Sequence, residues 1–193
     1  MELTGLFGGA FDPPHVGHVA LANAAKRHFG LPRLTILVAE HPGHKETFLP
    51  AETRLELAKA AFPEDDVRLD PCPRTIDLLR GESFDDPLFI IGADQFSDFL
   101  SWTDPDAVLE RARLAVATRP GYPRERLDAV LEELDQPERV VFFEIEPLPI
   151  SSRDLRARLA AGEEVSDELP PAVAELIRAD GVYTRGSGYT ERA

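Results

Sequence analysis

Two histidines three residues apart, His15 and His18, close the stretch Gly8-Gly-Ala-Phe-Asp-Pro-Pro-His15-Val-Gly-His18. Adjacent glycines leave backbone N–H groups open to close approach, and a helix beginning just beyond them adds unpaired donors and a positive dipole end. That combination suits a bound anion. If the helix starts between the histidines, both rings face the same phosphates, and Gly17 removes the side chain that would crowd them. The stretch is neither a Walker loop, since no Gly-Lys-Ser/Thr follows, nor a dinucleotide G-x-G-x-x-G turn. Two other readings exist: a Gly/Pro turn carrying two surface histidines, and a metal site. A stable metal site wants three or four ligands, and only Asp12 stands near to help.

A second group lies in Ile150-Ser-Ser-Arg-Asp-Leu-Arg156. Ser151 and Asp154 have the spacing of a capping box at a helix start, which alone is structural. Arg153 and Arg156, however, put positive charge into the opening turns, where the helix dipole disfavours cations by about 0.3–1 kcal/mol each. A bound polyphosphate reverses the sign of that penalty, which favours phosphate recognition over a solvated face.

The elements that would position these groups alternate along the chain. Apolar runs at Leu3–Phe7, Leu34–Val38, Val67–Leu69, Leu88–Ile91, Leu114–Ala117 and Val140–Phe143 read as strands. Between and after them, about Gly17–Phe29, Ala51–Ala61, Arg124–Leu134, Ser152–Ala161 and Pro171–Ala179 read as helices. Continuous apolar strands separated by helices predict an α/β fold: a Rossmann-like, doubly wound parallel sheet with helices on both faces and a small helical C-terminal part. In such a sheet ligands bind beyond the carboxyl ends of the strands, so the loops after Phe7, Val38, Ile91 and Phe143 are the places to expect chemistry. Residues 1–183 read as one domain and 184–193 as a loose tail.

Composition narrows the function classes. The net charge of −14, from 35 acidic against 21 basic residues, repels polyanions and argues against nucleic-acid binding. No apolar run approaches the roughly 20 residues of a membrane span, and no secretory start is present, so a cytoplasmic protein is expected. Cys72 is the only cysteine, which excludes an internal disulfide and a multi-cysteine zinc site.

Together the two motifs resemble those of the H-x-G-H nucleotidyltransferase superfamily, and specifically the bacterial nicotinate-nucleotide adenylyltransferases, over about Leu3 to Tyr183. The first motif matches without a gap. Weaker pieces are His44-Lys45 with Arg54 downstream, Arg74-Thr-Ile-Asp77, and Gly92-Ala-Asp94-Gln-Phe followed by Trp102. The resemblance implies that an acceptor phosphate, that of nicotinate mononucleotide, attacks the α-phosphorus of ATP, with Mg²⁺ accompanying ATP rather than held in a protein cage.

It implies catalytic roles for His15, His18 and Arg156. The ATP site would comprise Gly8, Gly9, Ala10, Phe11, His15, His18, Asp94, Ile150, Ser151, Ser152 and Arg156, with Asp94 on a ribose. Lys45, Thr75 and Trp102 would hold the acceptor, Trp102 by stacking on the pyridine ring. Gly43, Arg74, Leu78 and Arg153 depart from the family pattern, the first three in acceptor-side segments. Phosphopantetheine adenylyl transfer and a non-catalytic nucleotide sensor are the competing readings. Acid versus amide acceptor preference turns on loop geometry near Thr75 and Trp102, and the motifs do not encode an oligomeric state.

Overall fold

A computed structural model describes residues 3–43, 46–146 and 148–184. Six strands form one parallel sheet in the order β3-β2-β1-β4-β5-β6. They are β1 (Gly5–Gly9), β2 (Leu34–Ala39), β3 (Asp66–Asp70), β4 (Leu88–Gly92), β5 (Arg113–Thr118) and β6 (Val140–Glu144). Eight α-helices accompany them among the described residues: α1 (Val16–Phe29), α2 (Ala51–Ala61), α3 (Thr75–Gly81), α4 (Ala93–Ser97), α5 (Pro105–Arg111), α6 (Arg124–Glu132), α7 (Ser152–Ala161) and α8 (Pro171–Asp180). The expected α/β doubly wound architecture is therefore the observed one, with strand ends shifted by one or two residues. The loose tail expected from residue 184 falls almost wholly outside the described residues; Thr184 itself donates its hydroxyl to the Gly181 carbonyl.

The inner strands β1, β2, β4 and β5 are mainly apolar because both faces of the sheet are covered there, whereas the edge strand β3 reads Asp-Val-Arg-Leu-Asp. Successive residues alternate between two cores. Phe7, Ile36, Val38, Ile90 and Ala115 point into one, shared with α1, α2, α7 and α8. Leu6, Leu37, Phe89, Ile91, Leu114 and Val116 point into the other, shared with α3, α4, α5 and α6. Each fully buried leucine or phenylalanine contributes about 1.5–3 kcal/mol, so a one-residue slip of a strand would exchange one packed core for another and is strongly disfavoured.

The sheet order sets the site. From β1 the chain steps outward to β2 and β3, then returns through α3 to β4 on the other side of β1. The carboxyl ends of β1 and β4 thus flank the topological switch point, where a crevice opens between diverging loops.

Candidate active site

At the end of β1 the chain passes through Ala10 to Pro14 and enters α1 with His15 as its N-cap residue. Close contacts dictate the glycines. A Cβ on Gly9 would lie 2.9 Å from the Phe11 ring, and one on Gly17 would lie 2.9 Å from His15 Nδ1. The latter bears out the expectation that Gly17 makes room for the histidines. The two rings stack, with centroids 3.7 Å apart and planes 27° from parallel.

His18 occupies the third helical position, where a capping box usually has Glu or Gln, and its Nδ1 accepts from the His15 backbone N–H at 3.2 Å. An Nδ1 used as an acceptor carries no proton, so neutral His18 bears its proton on Nε2 and presents that atom as a donor. Phe11 packs edge-on against the same ring at 5.2 Å, fixing its plane.

His15 is 7% exposed, which overturns the alternative of a turn with two surface histidines. Burial lowers its pKa to about 4, so it is neutral at physiological pH. Its Nδ1 is enclosed without a hydrogen-bond partner among the described residues. A neutral imidazole can offer a hydrogen bond but carries no positive charge.

Asp12, weighed from the sequence only as a metal ligand, has a different role. Its carboxylate, 2% exposed, accepts from the Tyr183 hydroxyl at 2.6 Å and from the Phe48 backbone N–H. Burial, followed by the charge of Asp12, pushes the Tyr183 phenol pKa far above its ordinary value, so it remains a donor. The Asp12 carbonyl accepts from Arg156 at 2.6 Å, and the Pro13 carbonyl accepts from Ser152 Oγ at 2.8 Å. These two bonds dock the start of α7 onto the loop after β1. Ser151 caps α7 by accepting from the Asp154 N–H at 3.1 Å, the local pattern expected from the sequence. Ile150 is half-buried against the first core, while Arg153 is exposed and makes no ion pair with the described residues. Arg156 also stands 3.9 Å from the Asp12 carboxylate, and its other N–H groups make no hydrogen bond within the described residues.

Arg54 was not anticipated in the part it plays. Its guanidinium is 1% exposed and donates to the carbonyls of Ala10 and Ala39, both at 2.8 Å, of Leu49 at 3.0 Å and of Glu40 at 3.4 Å. It thereby ties the loop after β1 to the loop after β2. The sequence carried a signal: Arg54 shares its helix face with Ala51, Leu57 and Ala58, an apolar stripe where a cation has to find internal acceptors.

On the β4 side, Asp94 is exposed in the first turn of α4, and its Oδ1 accepts from Tyr122 at 3.2 Å. Tyr122 belongs to the loop after β5, a loop absent from the expected set. Trp102 is half-buried, edge-on to Phe99 at 5.2 Å and to Phe89 at 6.4 Å. A Cβ on Gly8 would lie 3.3 Å from that same Phe89 ring, so the tryptophan stands one side chain away from β1. Thr75 opens α3 half-exposed, next to exposed Arg74. Leu78 is fully buried in the second core, so this departure from the family pattern belongs to packing and not to a substrate-facing surface. Lys45 lies outside the described residues.

Among the described residues no cluster of three or more His, Cys, Asp or Glu is placed to hold a metal, and no helix is long and apolar enough to cross a membrane. A parallel sheet whose switch-point loop leads into a helix headed by paired imidazoles, with an arginine-bearing helix start docked on that loop, is the architecture of a nucleotidyltransferase. The sequence model of the cytidylyltransferase-like family matches residues 6–158. A probable nicotinate-nucleotide adenylyltransferase of Thermus thermophilus is 38% identical, over 93% of this chain and 98% of that protein. One of Rubrobacter xylanophilus is 34% identical over 93% and 91%. Among solved structures, Plasmodium falciparum nicotinic acid mononucleotide adenylyltransferase complexed with NaAD superimposes with a TM-score of 0.76. That match covers 95% of this chain and 98% of that one at 15% identity, a likeness of fold. The chain belongs to the cytidylyltransferase-like family, on its nicotinate-nucleotide adenylyltransferase branch.

Proposed function

We propose that this protein transfers the adenylyl group of ATP to nicotinate mononucleotide, releasing pyrophosphate and leaving deamido-NAD, within the cytoplasm. The observation that carries the reading is the stacked His15–His18 pair at the head of α1, with Arg156 of α7 docked on the same loop. An acceptor phosphate oxygen attacks the α-phosphorus in line while the bond to the β-phosphate oxygen breaks, and the electron pair leaves with pyrophosphate. The attacking oxygen is already anionic, so no enzyme nucleophile is needed. The protein's work is to bring two anions together and to stabilise the charge that builds on the phosphates.

In this reading the amides of Gly8, Gly9, Ala10 and Phe11 line the nucleotide and His18 Nε2–H donates to the transferring phosphoryl group. Neutral His15 assists, and Arg156 with the open N-terminus of α7 at Ser151 and Ser152 receives the triphosphate tail. Ser152 contributes there through its backbone N–H, because its hydroxyl proton is directed at Pro13. Asp94 takes a ribose, Trp102 offers a face to the pyridine ring, and Thr75 and Lys45 complete the acceptor side. Mg²⁺ would enter with ATP and supply charge neutralisation on its phosphates rather than be held in a protein cage.

Supplying Mg-ATP with nicotinate mononucleotide, nicotinamide mononucleotide or phosphopantetheine in turn, and measuring pyrophosphate, tests the reading. Fastest release is expected with nicotinate mononucleotide. Preference for phosphopantetheine, or release with none of the three, would replace it by the related transferase or by a nucleotide sensor.

A further inference from the structure

The turn after β5 reads Arg119-Pro-Gly-Tyr122, with proline in the second place and Gly121 in the third at a φ of +80°. The Tyr122 N–H closes it onto the Arg119 carbonyl at 3.0 Å. Proline then glycine with positive φ is the signature of a type II turn, which fixes where the fourth residue emerges. The Tyr122 ring packs half-buried against the second core, and the Arg119 guanidinium lies 6.0 Å from its centroid. Its hydroxyl emerges at the carboxyl edge of the sheet, 3.2 Å from Asp94 Oδ1 and 2.9 Å from Ser97 Oγ.

A carboxylate only accepts, so the Tyr122 proton points at Asp94. Ser97 Oγ also lies 3.1 Å from the Ala93 carbonyl, one turn back along α4. Ser97 Oγ donates to that carbonyl, and the Tyr122 hydroxyl, packed between Ser97 Oγ and Asp94 Oδ1, holds one carboxylate oxygen in place. Asp94 Oδ2 receives no hydrogen bond from the described residues and is exposed at the mouth of the crevice.

We infer that Tyr122, backed by Ser97, is a positioning residue that sets the Asp94 carboxylate to accept from ribose hydroxyls of the bound nucleotide. This rests on the reading above that Asp94 faces a ribose. An exposed aspartate otherwise samples several rotamers, and tethering one oxygen removes that freedom before the ligand arrives, so the second oxygen binds without a further ordering cost. Tyr122 acts through Asp94 and touches no reacting atom.

The test compares ATP with 2′,3′-dideoxy-ATP, which keeps the base and triphosphate and lacks both hydroxyls, in the wild-type enzyme and in Tyr122→Phe and Ser97→Ala. Wild type should show a lower KM for ATP than for the dideoxy nucleotide. Tyr122→Phe should raise the KM for ATP about five- to tenfold, the scale of one ordinary hydrogen bond lost from an exposed site. Its kcat should stay within about twofold and its KM for dideoxy-ATP should not move. Ser97→Ala, which leaves the aromatic ring packed, should give a smaller rise of about twofold with the same pattern.

Equal rises for both nucleotides would make Tyr122 a purely structural support and overturn the inference, as would no change for either. If wild type handles both nucleotides alike, the ribose role of Asp94 fails and the inference falls with it. Titrating the same two nucleotides into the same proteins by calorimetry gives the comparison without turnover, so absence of transfer activity would sink the proposed reaction and leave this inference to stand or fall separately.

Discussion

The two ends of the crevice are built on different principles. Around β1, β2 and α7 the loops are locked from inside: Arg54 gathers four carbonyls, Asp12 receives Tyr183 and Phe48, and Ser152 and Arg156 dock on Asp12 and Pro13. Around α3, Asp94 and Trp102 the polar groups stand half or fully exposed, and Arg74 makes no ion pair with the described residues. A phosphate site depends on several amides and imidazoles being aimed before the ligand arrives, because dipoles that must reorganise lose much of their stabilisation of developing charge. A surface that recognises a planar ring can tolerate more freedom, since stacking asks chiefly for a face. Of the departures from the family pattern, Arg74 is exposed on the looser side with Leu78 in the core beneath it, whereas Gly43 lies in the loop after β2.

If that contrast is real, damage should be large and global on the locked side and small and selective on the other. The largest effect is expected from Arg54→Met, which leaves four carbonyls without their buried donor; a stability loss of about 3–5 kcal/mol should appear in denaturant unfolding. A change under 1 kcal/mol would show that the lock is not in Arg54.

Second comes His15, whose ring is neutral and sealed. Its folded pKa of about 4 lies below its ordinary 6.5, so between those values the unfolded chain holds a proton that the folded one does not. Stability is therefore lost as pH falls from 6.5 to 4 and levels off below, by at most about 3 kcal/mol. The unfolding free energy of wild type minus that of His15→Gln should drop across this window and be flat above pH 7; a flat difference throughout would mean the ring is not sealed.

Third, His18→Ala should lower kcat by about a hundredfold, the scale of one oriented transition-state donor, with little change in acceptor KM. Near-normal turnover would remove His18 from the chemistry. Smallest is Trp102→Ala, where the KM for the mononucleotide should rise by about tenfold at unchanged KM for ATP, about 1.4 kcal/mol of lost stacking. A rise confined to ATP would place the tryptophan on the wrong substrate.

The sequence disclosed the locked side's chemistry and concealed its locks. The strands, the main flanking helices and the Gly8–His18 motif were legible because periodicity and local spacing encode them. Gly17's purpose was also legible, since the crowding it relieves is with a residue two positions away. Arg54 and Ala10 stand 44 residues apart, and Asp12 and Tyr183 stand 171 apart, so no window of sequence contains both partners. The spacing of His15 and His18 pointed both rings at one anion but did not show that His15 is buried, since its burial follows from packing at the switch point. The Tyr122 link was missed although Pro120-Gly121 announces a turn, because a turn does not declare which neighbouring strand its last residue will meet. Leu78 reads as a departure within a motif and is in fact core, since α3 aims that position inward.

The bond from Tyr183 to Asp12 also bears on the order of assembly during translation. The motif leaves the ribosome well before Tyr183, 171 residues further on, so one oxygen of its buried carboxylate has no phenol to meet until that residue has been made and has emerged. Nascent chains held short of that point would display the glycines and histidines without a finished cradle, so nucleotide affinity should arrive late in synthesis, with the packing of the last helix, rather than growing gradually as the sheet is laid down.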